Sequence, residues 1–249
     1  MSSIIWTPTE VASSVQTAQL RLWRAVEAQH LVSTTLLVDT LDEQTLMERL
    51  LEDSKPGLPI ETARLHWLLF TPFRYPPLPQ GSRFRAVADP GVFYGAAEIR
   101  TACAELGFWR WRFLLDSPKL DRIDAKAQTV FLSQIKGSGV DLRLPPWAGR
   151  AQWTAPDDYS ACQTFAKAAR QAGVAFIRYE SVRDPQRAVC AAVLHPQAFT
   201  HKQPLETQTW LLTVTRARVF WRKDSVLEAD AFEFEYSQFE VEKSAASNR

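Results

Sequence analysis

The sequence predicts an α+β fold, and three observations lead to this class. Apolar residues recur at helical spacing in the N-terminal part of the chain. After the prolines at positions 72, 76, 77 and 79, short runs of β-branched and aromatic residues become numerous. Two longer helix-like stretches interrupt these runs, and strands dominate towards the end. A helical first part followed by mixed helices and strands favours α+β.

The first part is predicted to be helical. A helix is expected from Val15 to His30, where apolar residues occur at positions 15, 18, 22, 25 and 26. A second helix is expected to begin at Thr40, because Thr40 and Glu43 have capping-box spacing ahead of an apolar run. A short third helix is expected from Glu61 to Leu69. Residues 1–62 are therefore predicted to form a helical extension packed on a main domain at 63–240, with a frayed tail at 241–249.

The main domain is predicted to contain seven short strands and two helices. The strands are expected at Ser82–Val87, Val92–Ala96, Thr129–Gln134, Val174–Tyr179, Ala188–Leu194, Thr207–Thr215 and Arg218–Arg222. The helices are expected at Ala97–Leu106 and Asp158–Ala172. Acidic residues at 157 and 158 suit the N-terminus of the second helix, and Gly173 suits its C-terminal cap.

Bulk composition argues against several classes of function. The 29 basic and 28 acidic side chains give a formal charge of +1, which is not the balance expected for binding nucleic acid or an anionic membrane. No apolar run reaches the roughly 20 residues needed to span a bilayer, and the N-terminus has no pattern of a secretion signal. Three scattered cysteines and four histidines show no metal-ligand spacing. These features predict a cytoplasmic protein without a metal or prosthetic group.

Three residues with complementary chemistry follow one another at even steps of eleven: Arg83, Tyr94 and Glu105. A guanidinium binds phosphate oxygens, an aromatic ring stacks on a flat heterocycle, and a carboxylate stabilises a sugar that becomes cationic. Arg85 is expected on the same strand face as Arg83. Taken alone, each residue also has a structural interpretation, such as a surface strand cation for Arg83 or a solvated helix-end charge for Glu105.

The order of these residues resembles the RES domain family. The resemblance extends from about Trp67 to Leu194 and rests on the segments Phe73-Arg-Tyr, Gly81-Ser-Arg-Phe-Arg, Val92-Phe-Tyr-Gly-Ala, Thr101-Ala-Cys-Ala-Glu and Tyr179-Glu-Ser-Val-Arg. It implies a fold similar to ADP-ribosyltransferase toxins, with a split mixed sheet flanked by helices. It also implies the toxin of a toxin–antitoxin pair, with an Xre-type helix-turn-helix antitoxin as partner.

The resemblance further implies that NAD is the substrate and that its nicotinamide–ribose bond is cleaved by phosphorolysis or hydrolysis. Arg83 would hold the pyrophosphate or the nearby ribose, and Tyr94 would stack at the nicotinamide end. Glu105 would bind the nicotinamide ribose and stabilise its developing charge. Ser181 would bind in the same pocket, and Arg74 with Tyr75 would correspond to an earlier arginine–aromatic step of the family. Phosphate is the expected co-substrate if the reaction is phosphorolysis.

Two alternatives remain beside this reading. The same pocket would serve ADP-ribosyl transfer to a protein, and a non-catalytic binding or assembly protein would keep the fold alone. The chain also departs from the family's Gly-Gly-Arg-Trp pattern, which is Gly81-Ser-Arg-Phe here. Whether the protein forms a homo-oligomer is left open.

Overall fold

The computed structural model describes residues 6–28 and 38–240. Six α-helices lie in this part of the chain: α1 (Pro8–Ala12), α2 (Leu41–Asp53), α3 (Trp67–Arg74), α4 (Ile99–Leu115), α5 (Ser160–Gln171) and α6 (Tyr236–Glu240). The same residues contain eight strands: β1 (Gln16–Glu27), β2 (Phe93–Ala96), β3 (Arg122–Asp141), β4 (Phe176–Glu180), β5 (Val189–Val193), β6 (Glu206–Thr215), β7 (Arg218–Lys223) and β8 (Ala231–Glu235). None of the described helices is long and apolar enough to cross a bilayer.

The eight strands form one mixed sheet in the order β1-β2-β5-β4-β3-β6-β7-β8. β1 also pairs with β3 along its full length, from Gln16 opposite Gly139 to Glu27 opposite Gln128. The five strands β1, β2, β5, β4 and β3 therefore form a closed ring, in which each strand pairs with two neighbours. Among the described pairs, β3–β4 is the parallel one and the others are antiparallel. The predicted α+β class with a mixed sheet and flanking helices is confirmed.

Helices cover the sheet at separate apolar clusters. α5 packs Phe165 and Ala166 against a cluster that includes Val140 and Ile177 of the sheet. α4 packs Phe108, Trp111 and Leu114 against β6, β7 and β8. α3 contributes Leu68, Leu69 and Phe73 to a third cluster that contains Phe93 and Phe131. Burial of such large apolar side chains stabilises the arrangement by about 1.5–3 kcal/mol each.

Most expected elements are present with shifted ends. Six of the seven expected strands correspond to β2, β3, β4, β5, β6 and β7, although β3 is much longer than expected. The helices α4 and α5 are confirmed. The capping box of α2 is also confirmed, since the Thr40 side chain accepts from the Glu43 N–H and Glu43 accepts from the Thr40 N–H.

The helix predicted from Val15 to His30 is wrong. Residues 16–27 form β1 instead, and residues 29 and 30 lie outside the described part of the chain. Side chains at even positions from Ala18 to Leu22 join the cluster around Phe93, while Trp23 and Ala25 face the α4 cluster. Because both faces of β1 are partly apolar, its sequence contains helical spacings by coincidence. The described part of residues 1–62 is therefore not purely helical, because β1 belongs to the sheet while α1 and α2 flank it in the chain. The division into an extension and a main domain at 63–240 stays a prediction, and the predicted tail at 241–249 lies outside the described residues.

Two further local predictions need correction. The third helix divides into a 3₁₀ turn at Ile60–Thr62 and α3, which extends to Arg74 and contains Pro72. The expected strand Ser82–Val87 is a tight turn, in which Ser82 and Arg85 exchange backbone hydrogen bonds of 2.8 and 3.1 Å. Gly81 enters this turn with φ +74°, and a Cβ there would lie 2.3 Å from the Arg85 carbonyl oxygen. Arg83 and Arg85 therefore do not share a strand face.

Candidate functional site

A cavity of about 530 Å³ lies between the start of α4, the strands β1 and β2, and the loop that follows α3. Its volume falls in the range of small-molecule sites, about 300–1,000 Å³. Tyr75, Arg83, Tyr94 and Glu105 all line it. Four of the six residues that the family resemblance places in the site thus surround one space.

Glu105 and Ser181 are joined directly. The Ser181 hydroxyl donates to Oε1 of Glu105 at 2.6 Å, and Ser181 is fully buried. The same hydroxyl oxygen accepts the backbone N–H groups of Arg183 (3.3 Å) and Asp184 (3.0 Å). Two donors occupy its acceptor positions, so its own proton is directed at the carboxylate. Ser181 therefore fixes one oxygen of Glu105 at the cavity wall.

A buried carboxylate ties the Ser181 loop to the first turn of α4. Asp184, whose side chain is 0% exposed, accepts from Arg100 and, at 2.7 Å, from the Thr101 hydroxyl. It also accepts the Gln186 N–H at 3.1 Å. These bonds hold the loop and helix α4, which carry Ser181 and Glu105, in a fixed relation.

Arg83 lines the cavity from the turn that follows Gly81. Its Nη1 donates to the carbonyls of Trp153 (3.0 Å) and Ala155 (2.9 Å), and its guanidinium lies 4.9 Å from the ring of Tyr159. Within the described residues, no carboxylate forms an ion pair with Arg83. One edge of the guanidinium is thus used to hold the 153–155 segment, and its positive charge is not neutralised locally.

Tyr94 presents its ring to the cavity while its hydroxyl is engaged elsewhere. The hydroxyl lies 2.8 Å from the Ser82 hydroxyl and accepts the Phe84 N–H at 2.9 Å. Burial raises the pKa of Tyr94 to about 12, so the phenol stays protonated at neutral pH. Tyr94 therefore anchors the turn that carries Arg83.

Three further arginines line the cavity, and sequence reasoning singled out only Arg85 among them. Arg24 donates to the Tyr94 carbonyl at 2.7 Å, and burial lowers its pKa to about 10. Arg85 donates to the carbonyls of Tyr75 (2.9 Å) and Asp89 (3.1 Å). Arg183 donates to the Pro156 carbonyl at 2.6 Å, with the exposed Asp157 carboxylate 3.8 Å away. Arg24 and Arg183 were missed because no local pattern marks them, and only the tertiary fold brings them to the cavity.

Arg74 and Tyr75 separate at the end of α3. Tyr75 lines the cavity, whereas Arg74 does not. The Arg74 guanidinium donates instead to Glu52 of α2 (2.8 Å) and to the Pro56 carbonyl (2.7 Å). The structure therefore places Arg74 in a contact between α2 and α3 and does not bring it to the other candidate residues.

The cavity also contains a thiol close to the carboxylate. Cys190 lines the wall with its Sγ 3.9 Å from Oε1 of Glu105. Burial raises its pKa well above the usual thiol value, so Cys190 is held as the neutral, poorly nucleophilic form. In the described part of the chain, no group of three or more His, Cys, Asp or Glu residues is arranged to hold a metal ion.

Charge is distributed unevenly around the cavity. Four arginines line it (Arg24, Arg83, Arg85 and Arg183), and Glu105 is the single carboxylate among its described lining residues. All four arginines donate hydrogen bonds to backbone carbonyls. Among the described residues, Arg183 alone of the four has a carboxylate within 4.0 Å, that of the exposed Asp157. Such a site suits an anionic ligand, since guanidinium groups bind phosphate oxygens strongly. Glu105 would then be the one acidic group beside such a ligand among the described lining residues.

No curated protein matches the chain. Among solved structures, the chain is similar to a chain in the crystal structure of the M. tuberculosis MbcT–MbcA toxin–antitoxin complex, with 13% identity, a TM-score of 0.49, and coverage of 81% of this chain and 90% of that chain. The family model described as the RES domain matches residues 59–215, which is more than half of the 249 residues. This chain therefore belongs to the RES domain family.

Proposed function

We propose that this protein cleaves the nicotinamide–ribose bond of NAD. The observation that carries the proposal is the cavity in which Glu105, hydrogen-bonded to Ser181, faces a space lined by four arginines. A dinucleotide has a central pyrophosphate and a ribose whose glycosidic bond is weakened by the positive pyridine ring. The positive charge of the arginines suits the pyrophosphate, and the single carboxylate suits the ribose.

The arginines would hold the pyrophosphate. Hydrogen bonds to backbone carbonyls hold the guanidinium groups of Arg24, Arg83 and Arg85 in place. Because a carbonyl carries no formal charge, the positive charge of each arginine is still available to an anionic ligand. Guanidinium groups that are already oriented lose little side-chain entropy when the anion binds. Their fixed positions would place the adjoining ribose at Glu105.

Glu105 would stabilise the ribose as the glycosidic bond breaks. The bond electrons leave with the pyridine nitrogen, so nicotinamide departs neutral and C1′ of the ribose becomes oxocarbenium-like. A carboxylate at this place lowers the barrier by electrostatic attraction, and no strong general acid is required. Phosphate or water would then form the new bond to C1′, giving ADP-ribose 1″-phosphate or ADP-ribose.

We also propose the biological role that family membership implies, a growth-inhibiting toxin. Depletion of NAD would stop metabolism in the cell that makes the protein. The expected neutralising partner is an antitoxin of the Xre helix-turn-helix type. ADP-ribosyl transfer to a protein is the competing use of the same cavity, and it differs by leaving modified proteins in the lysate.

The test compares Glu105→Gln with Glu98→Gln. Both changes neutralise one carboxylate near the start of α4, but Glu98 is exposed and does not line the cavity. Purified wild-type protein is expected to release nicotinamide from NAD, faster in phosphate buffer if phosphate is the acceptor. Glu105→Gln should lose more than about ten-fold in rate, because a well-placed electrostatic group typically contributes several kcal/mol.

The Glu98→Gln protein should retain the wild-type rate, and cells that express it should arrest as wild-type cells do. Cells that express Glu105→Gln should keep growing with normal NAD. A wild-type protein that neither releases nicotinamide nor lowers cellular NAD contradicts the proposal. Equal rates for the wild type and Glu105→Gln would remove Glu105 from the mechanism.

A further inference from the structure

Trp109 stands one helical turn beyond Glu105 on α4. Residues four apart lie on the same face of a helix, about 6 Å apart along its axis. Trp109 lines the cavity, yet 46% of its surface is exposed. A large aromatic side chain at the rim of a charged cavity thus has a free face that contributes little to the core.

The other aromatic rings of the cavity have structural partners. Tyr94 is bonded to the turn at Ser82, and Tyr179 is 5% exposed with its ring 4.9 Å from Phe84. Tyr159 lies 4.9 Å from the Arg83 guanidinium, and Tyr75 lies 6.0 Å from that of Arg74. Trp23 packs between two apolar clusters. Trp109 itself meets the Phe108 ring edge-on, with 5.3 Å between the ring centroids, yet it is the most exposed of the described aromatic rings that line the cavity.

Arg183 packs beside the indole of Trp109 and the neighbouring Phe108 ring. Its guanidinium lies 3.8 Å from the ring of Phe108 and 5.8 Å from the ring of Trp109, and it donates to the Pro156 carbonyl. These contacts hold the region around the indole without covering its exposed part. The indole is therefore positioned before any ligand arrives.

We propose that Trp109 is the surface on which the pyridine ring of nicotinamide stacks. This inference rests on the proposed function. It assigns the ring of the leaving group to Trp109 in place of Tyr94, whose hydroxyl is bonded into the turn at Ser82. Neither the motif order nor the family match indicates Trp109. NAD has two aromatic rings, the pyridine and the adenine, and the short distance between Trp109 and Glu105 along α4 favours the pyridine. The pyridine ring is attached to the ribose beside Glu105, whereas the adenine lies beyond the pyrophosphate and the arginines.

The experiment measures binding of two fragments of NAD to the full chain by calorimetry. Nicotinamide contains only the pyridine part, and ADP-ribose contains everything else. Trp109→Ala should weaken nicotinamide binding by about ten-fold, as expected for loss of an aromatic stacking partner, and leave ADP-ribose binding within two-fold. Trp109→Phe, which keeps an aromatic face, should restore most of the nicotinamide affinity.

Phe113→Ala is the matched control. Phe113 is the next exposed aromatic on this helix face, at 55% exposure, and it does not line the cavity. Its removal should change neither affinity. Unchanged nicotinamide binding in Trp109→Ala, or weakened ADP-ribose binding alone, overturns the assignment.

The outcome separates this inference from the proposed function. A wild-type protein that binds both fragments but cleaves no NAD would refute the proposed function, while the Trp109 comparison would still decide the stacking site. A wild-type protein that binds neither fragment overturns both.

Discussion

At the scale of single residues, Ser181 is the most constrained polar group of the site. Its hydroxyl accepts two backbone N–H groups of the following loop and donates to Glu105. Removing the hydroxyl would leave both N–H groups without this acceptor in a buried place, and an unsatisfied buried donor costs about 1–3 kcal/mol. Ser181 thus contributes both to the stability of the loop and to the position of the carboxylate.

Ser181→Ala is therefore expected to lower the free energy of unfolding by about 1–3 kcal/mol. Nicotinamide release should also fall about ten-fold, because Glu105 loses the donor that holds Oε1. Urea denaturation measures the first effect, and an assay of nicotinamide from NAD measures the second.

Ser133→Ala provides the comparison for Ser181. Ser133 is also buried, but its hydroxyl donates to one carbonyl, that of Leu22, at 3.1 Å and lies away from the cavity. This variant should unfold more easily than the wild type and release nicotinamide at the wild-type rate. A loss of turnover as large as that of Ser181→Ala would mean that reduced stability alone explains the effect.

At the scale of elements, β1 brings Arg24 into the cavity. Arg24 donates to the Tyr94 carbonyl, lies 5.1 Å from the Phe93 ring, and has no carboxylate partner among the described residues. Burial lowers its pKa to about 10, yet Arg24 remains charged at neutral pH. An unpaired guanidinium in such a place is costly unless an anion binds there.

Arg24→Gln should raise the KM for NAD by about ten-fold or more, since a charge-assisted bond to phosphate contributes about 1.5–3 kcal/mol. Arg21→Gln, which removes the same charge from an exposed position of β1, should leave the KM unchanged. Steady-state kinetics over a range of NAD concentrations would show the difference. An Arg24→Gln protein with the wild-type KM would place the anion elsewhere.

β1 also shows where prediction from the sequence fails. Both faces of this strand meet apolar groups, so the alternation that marks a half-buried strand is weak. By contrast, β6 and β7 each carry one buried face, and their runs of β-branched and aromatic residues predicted them correctly. The turn at Ser82–Arg85 was missed because its apolar and basic residues alternate as in a strand, while Gly81 and the Tyr94 hydroxyl set the turn.

The site was predictable only in part for a related reason. Glu105 and Tyr94 lie in a segment whose residue order resembles the family, and the structure brings them to one cavity with Arg83. The contributions of Arg24, Arg183 and Asp184 depend on contacts between elements distant in the chain, such as the Asp184 bonds to Arg100 and Thr101. No spacing in the sequence contains that information.

At the scale of the whole molecule, the core buries several groups that ionise in alkaline solution. Burial raises the pKa of Cys162 to about 11 and of Tyr94 to about 12, and it raises those of Cys103, Cys190 and Tyr179 further above their usual values. In each case the folded protein keeps a proton that the unfolded chain has already lost. Folding stability must then fall as the pH rises through this range.

Cys162 provides a measurable part of this effect. Its thiol pKa is 9.0 in an unperturbed setting and about 11 in the fold, where it packs under the Trp153 segment. The stabilising contribution is fully present below pH 9 and is lost between pH 9 and pH 11. The shift corresponds to about 2–3 kcal/mol.

We expect the free energy of unfolding of the wild type to fall about 2–3 kcal/mol more than that of Cys162→Ala between pH 8 and pH 11. Urea denaturation under reducing conditions at both pH values would measure it. Arg24, whose lowered pKa acts in the opposite direction above about pH 10, is present in both proteins and cancels in the comparison. Thr164→Ala, an exposed change on the same helix, should keep the wild-type pH dependence. If Cys162→Ala instead loses as much stability as the wild type over this range, the thiol ionises as easily in the folded core as in the unfolded chain.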